Sequence, residues 1–437
     1  MCDTGKLATV RLGDVCSKIG SGATPRGGSN VYLESGDYAL VRSQNVYNEG
    51  FNNYGIVFIS SEHAGQLRNV ELDRDDVLLN ITGDSVARCC QVPENILPCR
   101  VNQHVSIIRP KRDILNPRYL RYFLTSPQMQ AYMLTLASSG ATRNALTKGM
   151  IESFQIHCPP IKEQRTIAHI LGTLDDKIEL NRQMNETLEA IARSIFKSWF
   201  VDFDPVRAKA EGRDPGLPPD IADLFPDSFE DSTMGPIPKG WKVGTIGDIG
   251  KNPRRSIKPI DVAKDIPYVG LEHIPRRCIA LSEWGSAGNV ISNKLYFNKF
   301  EILFGKLRPY FHKVVVSPVD GLCSTDILVI APKLKSWFGF LLGHLSSKDL
   351  IAYTNAASTG TKMPRTNWKD IARFEIVLPP ENIAFSFNQY IFYFVSYIHE
   401  NIHQSRILAN IRNILLPKLI SGEIRVPEAE KFVKEFI

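Results

Sequence analysis

The sequence predicts an α/β (α+β) chain in which two β-rich globular domains are separated by two long antiparallel coiled-coil helices, related by an internal pseudo-two-fold repeat. Three observations carry this. The chain repeats itself: "SSGATRNALTKGMIESFQIHCPP", ending at Pro160, aligns at an offset of 220 with "STGTKMPRTNWKDIARFEIVLPP", ending at Pro380. Each copy opens with short apolar or alternating runs bounded by turn residues, the pattern of strands. Each copy closes on Pro-Pro and a long amphipathic run; proline marks a helix entrance because its missing N–H would be unpaired there anyway.

Residues 1–160 make the first domain. "DYALVRSQNV", "DVLLNITG" and "QHVSIIRP" read as strands, "NPRYLRYFLTSPQMQAYMLTLA" as helix, and a glycine-containing loop leads to a last strand. Residues 161–200 make a spacer helix. From Ile167, alternating steps of four and three reach Leu171, Leu174, Ile178, Asn181, Asn185, Leu188, Ala192, Ile195 and Trp199, a sustained heptad seam. Its charges cancel, six Lys and Arg against six Asp and Glu. Residues 201–240 hold seven prolines and read as a stiff, mostly irregular connector, long enough to return the chain for antiparallel pairing. Residues 241–380 make the second domain, with strands in "EILFGKL", "HKVVVSP" and "DILVIAP" and helix in "KSWFGFLLGHLSSKDLIAYTNAA". Residues 381–437 carry the second spacer helix and a tail. Its seam is Phe387, Ile391, Phe394, Ile398, Asn401, Ser405, Leu408, Arg412, Leu415 and Leu419. Asn181 and Asn401 are equivalent positions, and an asparagine in an apolar seam costs stability but fixes register and partner. About 40 residues of helix span roughly 60 Å, so the helices read as a spacer between two copies of one module. The start of the second helix also carries Phe385, Tyr390, Phe392, Tyr393 and Tyr397, so burial on more than one side is expected, against its own domain or a partner helix.

With 43% hydrophobic residues in 437, the chain is a folded multi-domain protein rather than a disordered one. "MCDTGKLATV" lacks the apolar run of a secretory signal, and "YIFYFVSYI" is too short to span a bilayer. The eight cysteines show no repeated CxxC spacing, which fits reduced thiols rather than a zinc cluster or disulfide framework. A cytoplasmic protein that engages no membrane is expected. The net charge of +6 is uneven: residues 1–160 carry 16 basic against 14 acidic side chains, residues 241–333 carry 14 against 8. A basic block beside a neutral rod suggests a polyanion-binding module on a spacer.

The helix "EQRTIAHILGTLDDKIELNR" and the connector "DFDPVRAKAEG…LPPDIADLFPDSFEDS…GPIPKGW" strongly resemble specificity subunits of type I restriction-modification systems, and the resemblance covers essentially the whole chain. It implies two target-recognition domains, each reading one half of a bipartite site in double-stranded DNA. It implies that the helices set the spacing and dock two modification (adenine methyltransferase) subunits, with restriction (translocase/nuclease) subunits joining the larger complex. No cofactor is implied in this chain; S-adenosylmethionine, ATP and magnesium belong to the partner subunits. One departure is the opening of the second helix, "PPENIAFSFNQYIFYF" in place of an "EQ"-type start.

Reading DNA needs planar amides and guanidinia that bond two base-edge atoms at once, while Lys, Arg, Ser and Thr on loops suit phosphates. The first copy offers Arg42, Ser43, Gln44 and Asn45; Asn80, Thr82, Asp84, Ser85 and Arg88; Asn102, Gln103 and His104; and, on its glycine loop, Thr142, Arg143, Asn144 and Lys148. The second offers Glu272 and His273; Lys306, Arg308, Tyr310 and Lys313; and Thr359, Thr361, Lys362 and Arg365. Asn102 and His104 have a second reading as partners of buried backbone groups. Catalytic signatures are missing: "GSGATPRGG" lacks the GK[ST] ending of a phosphate loop, and no NPP[YF] methylase motif or paired-carboxylate nuclease motif is present. "HENIH" fits H-E-x-x-H with Glu400 as base, but Ile398 is a seam residue, so His399 and His403 are expected at outer positions without a cleft, and no metal site is expected. The reading is a non-catalytic DNA-specificity subunit. A coiled-coil scaffold or adaptor without DNA specificity, and a single-chain nuclease or methylase, stand as alternatives. Salt-dependent DNA binding separates the first two.

Overall fold

The computed structural model describes residues 8–138, 144–258, 265–289, 292–358 and 363–434. The chain divides into two units, Met1–Lys177 with Leu408–Ile437, and Ile178–Ile407. Each unit holds one β-rich domain and a part of each long helix, Ile161–Phe200 and Glu381–Ser421.

In the first unit an antiparallel sheet runs in the order Cys16–Ser21, Val105–Pro110, Val77–Asn80, Cys89–Gln91. Val77–Asn80 is buried at every position, as an apolar run with neighbours on both edges and both faces must be. A smaller sheet orders Val57–Ile59, Tyr38–Val41 and Cys99–Val101, the last two parallel. Leu40, Val41, Leu78, Val101 and Ile107 share one core. The helix Pro117–Thr125 follows, capped by Asn116, whose side chain accepts the Tyr119 N–H at 3.0 Å. Ala8–Arg11 pairs with Gln155–Cys158 and delivers the chain to the first long helix.

The second unit repeats this topology. Gly250–Lys251, Ile327–Pro332, Ile302–Gly305 and Val314–Val316 make the four-stranded sheet. Pro267–Val269 runs parallel to Gly321–Cys323, and Lys242–Thr245 pairs with Glu375–Leu378. The helix Phe338–Leu345 stands where Pro117–Thr125 stands in the first domain. The connector is irregular over just over half of its length and carries short regular pieces. Asp204–Ala210 is a helix with proline in its first turn, and Phe229–Ser232 pairs with Gly235–Pro238. Phe203, Val206, Phe225 and Ile237 share a core with Phe200, Trp241 and Phe340. Its prolines fall where no intrahelical N–H is required, and its spaced apolar residues anchor it.

The helix seam is buried where the heptad places it. In the first unit Ile167, Leu171, Leu174, Leu408, Leu415 and Leu419 are buried. In the second, Asn181, Asn185, Trp199, Phe387, Ile391, Ile398 and Asn401 are buried, and Ile178, Leu188, Ala192, Ile195 and Phe394 are half-buried. Within that unit the Asn181 amide donates to Gln404 Oε1 at 2.8 Å and Ser405 Oγ at 3.2 Å, and the Asn401 amide donates to Asn185 Oδ1 at 2.9 Å. One helix climbs in number as its partner falls, so the pairing there is antiparallel. Within this chain the start of the second helix is only partly covered, which leaves the partner-helix reading standing. Phe387, Ile391 and Val395 are covered, whereas Phe385, Tyr390, Phe392, Tyr393 and Tyr397 are 36–66% exposed.

Each domain is tied to the first long helix by a different acid. In the first unit Asp175 accepts from Arg121, from Tyr122 Oη at 2.6 Å and from Arg412 Nη1 at 2.7 Å. In the second, buried Glu189 accepts the Ile279 and Ala280 N–H groups at 3.0 and 3.1 Å and pairs with Arg193 at 2.8 Å. There the helix Phe338–Leu345 brings two glycines to the rods: a Cβ on Gly339 would stand 2.9 Å from Ile391, and one on Gly343 2.2 Å from the Phe196 ring.

Candidate nucleic-acid interface

Strand ends converge in the first domain. The turn Ser43–Asn45 follows Tyr38–Val41, residues 81–88 link Val77–Asn80 to Cys89–Gln91, and residues 102–104 join Cys99–Val101 to Val105–Pro110. Ser43, Gln44, Tyr47, Thr82, Gly83, Asp84, Ser85, Arg88 and His104 line an open cleft of about 430 Å³ between them. Gly83 takes a left-handed φ of 76°, which glycine adopts without steric cost. The residues that follow the glycine loop lie beside this cleft: Thr82 bridges Ala145, the Gly83 N–H donates to Asn144 O at 3.3 Å, and the Leu146 N–H donates to Ile81 O at 2.9 Å.

Not every sequence candidate faces the cleft. Asn45 and Asn80 are fully buried and Asn102 nearly so. Asn45 accepts the Arg42 N–H at 3.0 Å and donates to Asn52 O at 2.8 Å; Asn80 donates to Ser43 O at 2.8 Å; Asn102 accepts the His104 N–H at 3.2 Å. These three amides hold loops in shape, a correction to the place of Asn45 and Asn80 among the base readers and in line with the second reading of Asn102. Gln44, Gln103 and His104 are exposed, with Thr82 Oγ1 2.8 Å from His104 Nδ1. Lys148 lies on the short helix Lys148–Glu152, pairs with Glu152 at 3.5 Å and does not line the cleft. Thr142, Arg143, Thr359, Thr361 and Lys362 lie outside the described residues.

The second domain brings the same loops together. Leu307 bridges Arg365, the Arg308 N–H donates to Pro364 O at 2.8 Å, and the Thr366 N–H donates to Lys306 O at 3.0 Å. Lys306 and Arg365 flank Asp326 at 3.9 and 3.5 Å. Glu272 and Tyr310 are exposed, and His273 Nδ1 accepts the Gly270 N–H at 2.9 Å. Burial, with Arg276 beside it, pushes the Lys313 ammonium below its ordinary pKa, and its Nζ donates to Leu271 O. Tyr47, Arg276 and Phe311 lie in these loops and were not among the sequence candidates: Arg88 lies over Tyr47 and Arg276 over Phe311, with 4.7 and 4.0 Å to the ring centroids. Arg276, three residues past His273, was the available signal.

His399 and His403 are not at open outer positions, because the second domain covers them. His399 is 2% exposed with its ring 4.9 Å from Phe300, and His403 Nε2 lies 3.2 Å from Pro318 O. Among the described residues no group of three or more His, Cys, Asp or Glu is placed to hold a metal ion, and no helix is long and apolar enough to cross a membrane.

A family model described as the type I restriction modification DNA specificity domain matches residues 5–190 and again 238–413, one match per copy. The chain belongs to the type I specificity-subunit family. As such it is the non-catalytic subunit that recognises the DNA target in a type I restriction-modification system. This specificity subunit is 30% identical over 344 residues to the type I restriction enzyme MjaIX specificity subunit of Methanocaldococcus jannaschii, covering 76% of this chain and 74% of that one. It is 27% identical over 373 residues to the HindI specificity subunit of Haemophilus influenzae, covering 74% and 81%. A crystal structure of a type I S subunit from M. genitalium shares the fold, with a TM-score of 0.58 at 12% identity over 96% of this chain and 97% of that one.

Proposed function

We propose that each loop cluster reads one half of a bipartite DNA site, the first through the cleft around Gln44, Arg88 and His104, the second through the loops carrying Glu272, Arg308, Tyr310 and Arg365. The supporting observation is the repeated strap, Thr82 to Ala145 and Leu307 to Arg365, which sets the residues that follow each glycine loop beside the same strand ends in both domains. Such a loop can approach phosphates closely, while the side chains of the cleft address base edges. The long helices set the distance between half-sites and dock two modification subunits. Those bring S-adenosylmethionine, and restriction subunits with ATP and magnesium complete the complex. The exposed aromatics Phe385, Tyr393 and Tyr397 suit one of these docking surfaces, since an apolar patch of this kind marks an interface. The test is to map methylated adenines in a host carrying this chain with its modification subunits, before and after replacing residues 81–88. A changed first half-site with an unchanged second half-site supports the assignment; an unchanged site overturns it. The purified chain alone is expected neither to methylate nor to cut DNA, and methyl transfer without a modification subunit would overturn that.

A further inference from the structure

We propose that Arg88 is the guanine-reading side chain of the first recognition domain and that Arg276 has the same task in the second; this deepens the two-cleft reading above and rests on it. In the first domain the arginine ends the hairpin after Val77–Asn80, and its aromatic platform, Tyr47, lies in the loop after Tyr38–Val41. In the second domain the loops trade parts. Arg276 lies in the loop after Pro267–Val269, and its platform, Phe311, lies in the hairpin after Ile302–Gly305. The strands that carry these loops correspond one to one in the two sheets. The stack is therefore a property of the site rather than of either loop.

The state of the two guanidinia sets them apart. Neither has a hydrogen bond or ion pair among the described residues, although Arg88 lines the open cleft and Arg276 is exposed. Arg42 over Tyr32 is committed to Gly55 O, and Arg121 over Tyr122 is buried on Asp175. Arg308 also lies over Phe311, but at 5.9 Å and with its Nε buried, so Arg276 at 4.0 Å holds the closer stack. Stacking fixes the guanidinium plane and leaves its edge N–H groups free. Two donors held in one plane match O6 and N7 of guanine, the paired acceptors of the major groove. A phosphate contact needs charge but no fixed plane. The asparagines Asn45 and Asn80 do not supply this pairing, because they are held inside the loops they shape.

The experiment selects bound duplexes from random DNA with the full chain and its modification subunits. The wild type is expected to require a G·C pair in each half-site. Arg88→Lys, which keeps the charge, and Arg88→Gln, which removes it, should each relax one G·C position in the first half by about 5- to 150-fold, leaving the second half unchanged. Arg276→Gln should do the converse. Tyr47→Leu, which removes the platform but keeps the arginine, should relax the same position as Arg88→Lys. Three results overturn the assignment: a half-site without an invariant G·C pair, unchanged specificity in the variants, or a loss uniform across sequences with a salt slope smaller by about one, which marks a phosphate contact. In each of those cases specific selection by the wild type still upholds the two-cleft reading. A wild-type complex that selects no sequence overturns both.

Discussion

Asp175 joins three segments of the first unit through one carboxylate, with its side chain 12% exposed and that of Arg121 9% exposed. Burial alone would raise its pKa; Arg121 and Arg412 outweigh burial and hold it below the ordinary value. A depressed folded pKa stabilises the fold above the unfolded carboxylate pKa of about 3.9, and that stability is lost as pH falls through the folded value. Asp175→Asn leaves Arg121 buried without a counter-charge and should cost about 3–5 kcal/mol in urea denaturation at neutral pH. A loss below about 1 kcal/mol would show that the pair does not hold the unit. The two buried histidines act in a different window. Burial pushes His344 and His399 down to about 3, with the Lys299 cation adding to the effect at His399. Both stay neutral in the fold, so their stabilisation is complete above the unfolded histidine pKa of about 6.5 and is lost as pH falls from there toward about 3. His344 Nε2 has no partner and its ring packs on Phe196 and Phe340. His344→Phe should therefore flatten the fall in melting temperature between pH 6 and pH 4 (about the range in which histidine charges); an unchanged acid slope would clear His344 of that role.

At the scale of the element, the helix seam turns on its asparagines. Asn401 and Asn185 are 7% and 8% exposed and satisfy each other. Asn401→Ala strands a buried acceptor and should cost about 1–3 kcal/mol, whereas replacing both by leucine should be neutral or stabilising. The double leucine variant should also accept a shifted register, so engineered cysteine pairs set one heptad out of step should cross-link in it and not in the wild type. Cross-linking only in the original register would show that the rest of the seam suffices. The seam was legible because a period of 3.5 survives any choice of partner. What the domains lay against that seam was not legible. His399 is one step from seam residue Ile398 and reads as outward, yet the loop at Phe300 covers it. The connector reads as irregular from its prolines, but Phe203, Phe225 and Trp241 find one core through contacts between residues far apart in sequence. In the candidate site, loops were legible from their turn chemistry and repeat positions. The inward turn of Asn45 and Asn80 and the pairing of Arg276 with Phe311 depend on tertiary placement, which no local pattern encodes.

At the scale of the whole molecule, the repeat invites one half to pair with itself. In a fragment ending near Gly240, Asn181 of one copy would meet Asn185 of the other, as Asn401 meets Asn185 in the intact chain. A homodimer with two identical recognition domains is expected, selecting an inverted repeat of the first half-site. It should be weak, because Phe196 is fitted to Gly343, and Tyr122 holds that place in the first domain. Phe196→Leu, the residue type at Leu416 in the repeat, should strengthen it. Monomers of both fragments at micromolar concentration would defeat the pairing, and a dimer selecting an asymmetric site would defeat the symmetry. The two ways of anchoring a domain also bear on inheritance. Moved into the second slot, the first domain would set Arg121 and Tyr122 where Leu342 and Gly343 now stand, facing Val395 and Ala192 in place of Asp175 and Arg412. Recombination among genes of this kind should therefore exchange like slot for like slot. Crossovers that leave each domain with its own stretch of rod, on either side of Lys177, would found new specificities, and those that ignore the slot would leave a buried cation without its acid.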